Sequence, residues 1–244
     1  MSRKAGTIPE ETKMKLLESA VAEFAQHGFQ KASLRRICAN AGVTTGALYF
    51  FFQDKEDLFQ SVISPVTDSL LSVLQAHYQA ELAGTVTQAT DASADIQAGA
   101  DILEVYYSNK TIGSIILNHR DHPAICAFFD QITTLIDQQT ISLLKKVKDP
   151  AASCGVFDPR GIRQMQEKNI PALGSLLAGI NIDASADPVF NDCTVHWISH
   201  LQIDAVMHII GHDYDENKAK EQLEIMVHFL RAGFLSLLSE NLKE

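Results

Sequence analysis

Apolar residues recur at intervals of three and four along nearly all of the 244-residue chain, and no run alternates in the manner of a strand. Side chains spaced i, i+3, i+4, i+7 share one face of a 3.6-residue helix, so the pattern predicts an all-α fold. The first helix should open at Thr7-Ile8-Pro9-Glu10. Thr7 as N-cap, Pro9 in the first turn and Glu10 three residues on make a capping box. Met14, Leu17, Val21 and Phe24 then form an apolar stripe, and Gly28 suits a left-handed C′ position with Phe29 folding back on the helix. A second helix starts at Ser33 as N-cap and buries Leu34, Ile37, Cys38 and Ala41. Gly42 permits a tight turn, Thr44 caps a very short helix over 44–51, and Asp54 with Asp57 three residues later caps a fourth. Three helices inside about fifty residues, with a glycine-containing turn between the second and third, is the helix-turn-helix pattern.

Past residue 60 the periodic segments lengthen, at 54–81, 93–108, 111–118, 122–148, 161–180, 187–211 and 215–241. The stretches 83–95, 149–161 and 181–188 are small, polar or marked by Asp-Pro pairs, and read as loops. Pro65 falls inside the segment 54–81. Its missing N–H and its clash with the carbonyl of Ser61 predict a kink or break at 61–65.

Charge divides the chain. The net value is −10, yet residues 1–60 hold eight Lys or Arg against seven Asp or Glu, and the remaining acidic excess lies beyond them. Such asymmetry suggests two parts, 1–60 and 61–244, with different partners. No apolar run reaches the ~18 residues of a membrane span. The first residues, MSRKAGTIPEETK, lack the apolar core of a signal peptide, so the expected location is the cytoplasm. Cys38, Cys126, Cys154 and Cys193 are scattered without a C-x-x-C pair and read as reduced thiols.

The combination Ser33-Leu-Arg-Arg-Ile37, Ala41-Gly42-Val43, Gly46-Ala-Leu-Tyr49, Phe52 and Asp54-Lys55-Glu56-Asp57-Leu58 resembles the DNA-binding region of the tetracycline-repressor (TetR) family of transcriptional regulators. The likeness runs from about Leu16 to Phe59; beyond that it is one of architecture. It implies a three-helix N-terminal reading head and a larger helical domain for ligand binding and dimerisation. It also implies a role for each residue of the motif. Ser33 caps the second helix, and Arg35 reaches a base edge or phosphate. Thr44, Thr45, Gly46 and Ala47 open the recognition helix that enters the major groove, Tyr49 gives its hydroxyl to a phosphate, and Lys55 reaches the backbone. Leu48 and Phe52 point into the core, which leaves Phe50 and Phe51 at the DNA or its rim. Many relatives carry a polar or basic residue where Thr45 stands and His or Tyr where Phe51 stands, so readout here should lean on methyl contacts and shape. The implied partners are double-stranded DNA with a palindromic operator, a second copy of the chain, and a small-molecule effector that releases the DNA.

Other constellations carry less. His196 with His200, and His208 with His212, set two imidazoles at i, i+4, a spacing that can chelate zinc. Neither pair has a clear third ligand, so no metal or cofactor is expected. Tyr106, His119, His122 and Phe128 could line a ligand cavity or serve as ordinary core. The last two helices offer Trp197, Leu201, Leu230, Gly233, Phe234 and Leu237, a pattern compatible with the four-helix dimer interface of the resembled family. No nucleophile triad or glycine-rich phosphate loop is present. The alternative of a ligand- or metal-dependent enzyme on a helical bundle, with a structural N-terminal region, therefore has little support.

Overall fold

A computed structural model describes residues 8–83, 91–148 and 191–240. Every regular element among them is helical: α1 (Ile8–Lys31), α2 (Leu34–Ala41), α3 (Thr45–Phe51), α4 (Lys55–Leu82), α5 (Ser93–Ser108), α6 (Lys110–Asn118), α7 (Pro123–Lys148), α8 (Asp192–Gly211) and α9 (Glu216–Glu240). The helix expected at 161–180, the cap at Thr7, Cys154 and most of the three expected loops lie outside the described residues. The chain forms two compact units. One runs to Leu70 and includes Val105–Phe129; the other takes Leu71–Glu104 and the chain from Asp130 onward. Compactness thus divides the chain differently from charge and motif, which divide it at residue 60.

In the first unit α1 packs against α2, α3 and α6, and α2 packs against α3. Leu16, Ala20 and Phe24 from α1, Ile37 and Cys38 from α2, Leu48 from α3, and Leu58, Phe59 and Val62 from α4 are buried together. The stripe on α1 is therefore rotated from the expected one. Met14 is 56% exposed, and Leu17 and Val21 only pack at the margin. Glu23 explains the shift, because a carboxylate among the buried positions is invisible to a count of apolar residues. Phe24 and Phe59 meet edge to face with centroids 5.0 Å apart, and Phe29 meets Phe59 at the same distance.

Two local expectations are modified for physical reasons. Gly28 has positive φ, as expected, but ψ is 168°, outside the left-handed helical basin. It ends the first helical run of α1 in a glycine-only conformation, and a short second run continues from the kink to Lys31. At Pro65 the helix is unbroken: α4 continues to Leu82. Val62, Ile63, Val66 and Thr67 are buried on either side of the proline, and this packing outweighs one lost backbone bond. Nearby, Ser64 Oγ donates to the Gln60 carbonyl at 2.6 Å and Ser69 Oγ to the Pro65 carbonyl at 2.7 Å.

In the second unit α8 packs on α9. Asn191 caps α8 by accepting from the Thr194 N–H, and Asp215 caps α9 by accepting from the Lys218 N–H. The cap at Asn191 starts α8 five residues later than the periodicity predicted. Leu223 fits against Gly99 so closely that a Cβ there would lie 2.7 Å from its methyl group.

Candidate nucleic-acid interface

The turn between α2 and α3 is built by three residues. Gly42 is left-handed (φ 69°, ψ 30°), and its N–H and that of Val43 close on the carbonyls of Ala39 and Cys38. Thr44 is extended and its Oγ1 accepts from the Ala47 N–H at 3.2 Å, a side-chain cap that starts α3. Seven residues, TGALYFF, follow. Leu48 is fully buried and Phe52 is 2% exposed, which fixes the rotation of the helix. The opposite side then faces solvent: Thr45 and Gly46 are exposed, Tyr49 is 57% exposed and Phe50 is 76% exposed. Phe51 is half-buried between them, edge to face with Phe50. Isolated exposed apolar residues are ordinary, but a capped helix that turns a phenylalanine outward beside a tyrosine presents a surface suited to a partner.

At the start of α2, Arg35 is exposed and makes no hydrogen bond or ion pair among the described residues. Ser33 occupies the N-cap position, yet its hydroxyl makes no capping bond. Its backbone N–H donates instead to Glu23 at 2.8 Å. The same carboxylate accepts from Nε of Arg36 at 2.9 Å and from its Nη2 at 2.5 Å, while Nη2 also donates to the Lys31 carbonyl. Those bonds hold the carboxyl of Glu23 below its ordinary value: the Arg36 hydrogen bond leads, burial opposes it, and the Ser33 N–H adds to it. One buried acid of α1 therefore fixes the start of α2 and, with it, the placement of Arg35. Sequence reading missed this pair, although an E-x(12)-R spacing between neighbouring helices was available to it.

Lys55 is less free than a phosphate-binding role assumes. Its Nζ donates to the carbonyls of Gln30 and Ala32 at 3.2 and 3.3 Å and lies 4.6 Å from the Phe29 ring centroid. The start of α4 is capped as expected, the Asp57 N–H donating to Asp54 and the Gln53 N–H donating back to Asp57.

The four residues named for a ligand cavity do not converge on one. His119 lines a cavity of about 220 Å³ with Phe24, Ala25, Thr111, Ser114, Ile115 and Asn118. Tyr106 instead packs against Gly113, and His122 and Phe128 are buried in side-chain packing. His119 and His122 both touch the aromatic cluster of Phe29 and Phe59. His119 Nδ1–H donates to the Ile115 carbonyl at 2.8 Å, and its Nε2 accepts from the Phe29 N–H at 3.1 Å. The His122 ring centroid lies 4.4 Å from those of both Phe29, edge to face, and Phe59, tilted, and its Nε2 lies 3.2 Å from Glu56 without alignment for a hydrogen bond.

The second unit holds a larger cavity, about 440 Å³, lined by Ser72, Val73, Ala76, His77, Gln97 and Asp101 among others. Behind it His77 Nε2 pairs with Asp95 at 3.1 Å, and Asp95 also pairs with Arg231. Burial works against the charge on His77, but the Asp95 hydrogen bond and the charges of Asp95 and Glu81 outweigh it and raise its affinity for a proton. Burial raises Glu81 despite its hydrogen bond from Gln139. Of the residues named for a subunit interface, Trp197 is 57% and Leu201 39% exposed, Gly233 is exposed, and Leu230 and Phe234 are half-buried. The side chain of Leu237 lies outside the described residues. Two positions that the periodicity hid, Ile225 (63%) and Phe229 (75%), are more exposed than Trp197 or Leu201. Among the described residues no helix is long and apolar enough to cross a membrane.

Comparison with known proteins converges on the same segment. Residues 16–62 match the family "Bacterial regulatory proteins, tetR family". The HTH-type transcriptional regulator AcrR of Shigella flexneri is 40% identical over 84 residues, 34% of this chain and 39% of that protein. The HTH-type transcriptional repressor BepR of Brucella suis is 45% identical over 53 residues, 22% of this chain and 25% of that protein. The chain thus aligns with well under half the length of these curated relatives. A transcriptional regulator of Aquifex aeolicus has the same fold over 90% of this chain and 99% of its own, with a TM-score of 0.55 at 16% identity.

Proposed function

We propose that this chain, whose residues 16–62 match the tetR family of bacterial regulatory proteins, is a one-component transcriptional regulator of that kind, a repressor that binds a palindromic operator as a homodimer and leaves it when a small molecule binds. The observation that supports the reading most is the outward face of α3, with Tyr49 and Phe50 exposed over a helix anchored by Leu48. Residues 1–60 would be the reading head. Ser33, Arg35, Thr44, Thr45, Gly46, Ala47, Tyr49, Phe50, Phe51 and Lys55 would meet DNA, the hydroxyls and helix starts on phosphates and the rest at base edges. The 440 Å³ cavity has the size of a small-ligand site and is the better candidate for the effector than the residues around His119. A ligand that favours one spacing of the two reading heads would be sufficient to lower DNA affinity; no chemistry is required.

Selection of bound duplexes from random DNA tests the reading directly, and a palindrome with half-site centres about 34–36 Å apart, or a multiple of it, is the expected product. Against that operator Arg35→Ala should lose about 1–3 kcal/mol and relax base preference. Lys55→Ala should weaken all duplexes alike, and operator binding equal to wild type in both variants would remove the assignment.

Assembly has its own test. Phe229 is 75% exposed, so Phe229→Glu leaves the core of the chain intact. If the α8 and α9 face joins two copies, the substitution should weaken self-association by about 2 kcal/mol or more, as loss of an aromatic anchor does. Sedimentation velocity over a concentration series reads the shift, and an unchanged dimer would put the interface elsewhere.

A further inference from the structure

The two histidine pairs of α8 have the same sequence spacing and different surroundings. In the second pair, His212 turns its Nδ1 back to the His208 carbonyl at 2.8 Å, where it serves the end of the helix. In the first pair both Nε2 atoms face each other, His196 to His200, at 3.2 Å. Nδ1 of His196 points the other way, 2.9 Å from Oδ2 of Asp137 on α7. The other oxygen of Asp137 is buried and has no hydrogen-bond partner among the described residues. His196 itself is more than half exposed, so its outward nitrogen is reachable from solvent.

We propose that Nε2 of His196 and Nε2 of His200 form a binding site for a divalent transition metal of the zinc class, with Asp137 as the carboxylate that orients His196. Two imidazole nitrogens on one tetrahedral zinc, each about 2.0–2.1 Å from the metal, stand about 3.3–3.4 Å apart. The observed separation is within a few tenths of an ångström of that, so the pair needs almost no rearrangement. A carboxylate accepting from Nδ1–H leaves the Nε2 lone pair outward and raises its basicity, the arrangement that supports histidine ligands in metal sites. Without metal, one Nε2–H bridges to the other Nε2. On binding, the His200 proton moves to its Nδ1, and both lone pairs turn to the metal. Among the described residues no third ligand-type side chain joins the group, so water completes the coordination. Imidazole donors select zinc, nickel or copper over magnesium and calcium, which prefer oxygen.

Zinc chloride is the probe, titrated into the full chain under reducing conditions by calorimetry and by competition with a chromophoric chelator. One equivalent should bind. His196→Gln and His200→Gln should each weaken it at least tenfold, and Asp137→Asn should weaken it about 10–100-fold, as outer carboxylates do. His212→Gln should leave it unchanged. Cys193, exposed one turn before His196, is the competing explanation through its thiol, and Cys193→Ser should stay within twofold of wild type. Circular dichroism of each variant confirms that the helices persist. Zinc affinity within twofold of wild type in both His196→Gln and His200→Gln, loss in Cys193→Ser alone, or no stoichiometric binding by wild type would overturn the site.

Discussion

Gly28→Ala is expected to destabilise the protein by about 2–6 kcal/mol, the sum of a backbone and a packing effect. The conformation at φ 68°, ψ 168° is open to glycine and strained for any other residue, by about 1–3 kcal/mol. A Cβ there would also lie 2.8 Å from Nε2 of His119. The imidazole would have to retreat, and the Phe29 N–H would lose its acceptor, a further ~1–3 kcal/mol for a part-buried donor. Urea unfolding should report the loss. Gly42→Ala is the comparison: φ is 69° there too, but nothing stands within 4 Å, so only the left-handed penalty of about 1–2 kcal/mol applies. Shortening the histidine in Gly28→Ala/His119→Ala should recover part of the clash. If the two glycine variants lose equal stability, the close approach of His119 has no energetic weight.

Glu23→Ala should destabilise by about 2–3 kcal/mol, at the lower end of what breaking a buried ion pair does, because Arg36 is half exposed and can rehydrate. The carboxylate is nearly inaccessible and serves three donors, so its removal strands the Ser33 N–H and frees the start of α2. If Arg35 meets DNA as proposed, operator affinity should fall with stability. The pH dependence has a definite sign. The carboxyl of Glu23 titrates below its ordinary 4.5 in the fold, so the ionised form favours folding. That contribution is complete above about pH 4.5 and is lost as pH falls through the lowered folded value. Denaturation midpoints between about pH 3 and 6 should show an acid loss in the wild type that is missing from Glu23→Gln. Parallel profiles for the two proteins would detach the pair from acid stability.

How far the sequence reveals this can be seen residue by residue. The caps at Thr44, Asp54 and Asp57, the turn at Gly42 and the inward Leu48 and Phe52 were all legible, since each depends on a side chain's own chemistry and a neighbour three or four residues away. The extent of α5, 93–108, was legible for the same reason. What was hidden depends on residues distant in the chain. Glu23 reads as a surface charge until Arg36 and the Ser33 N–H come to it. Pro65 reads as a breaker until burial on both sides of it is known. Asp137 and His196 are 59 residues apart, so two imidazoles without a third ligand read as surface or interface histidines on a long helix. The cavity beside His77 escaped notice because four alanines and Ser72 line most of it, and small residues leave space without announcing it.

The economy of α3 has an evolutionary reading. Of its seven residues only Leu48 is buried, and the helix is otherwise held by a cap on one side and Phe52 on the other. Substitutions at Thr45, Gly46, Tyr49 and Phe50 would therefore stay within about half a kcal/mol of neutral for folding, as exposed positions generally do. If α3 reads DNA as proposed, selection on the target sequence and selection on the fold act on separate residues. A lineage could drift to a new operator through single steps, each folded, without first accumulating compensating stability. The same separation makes this helix the place to graft a new specificity in the laboratory.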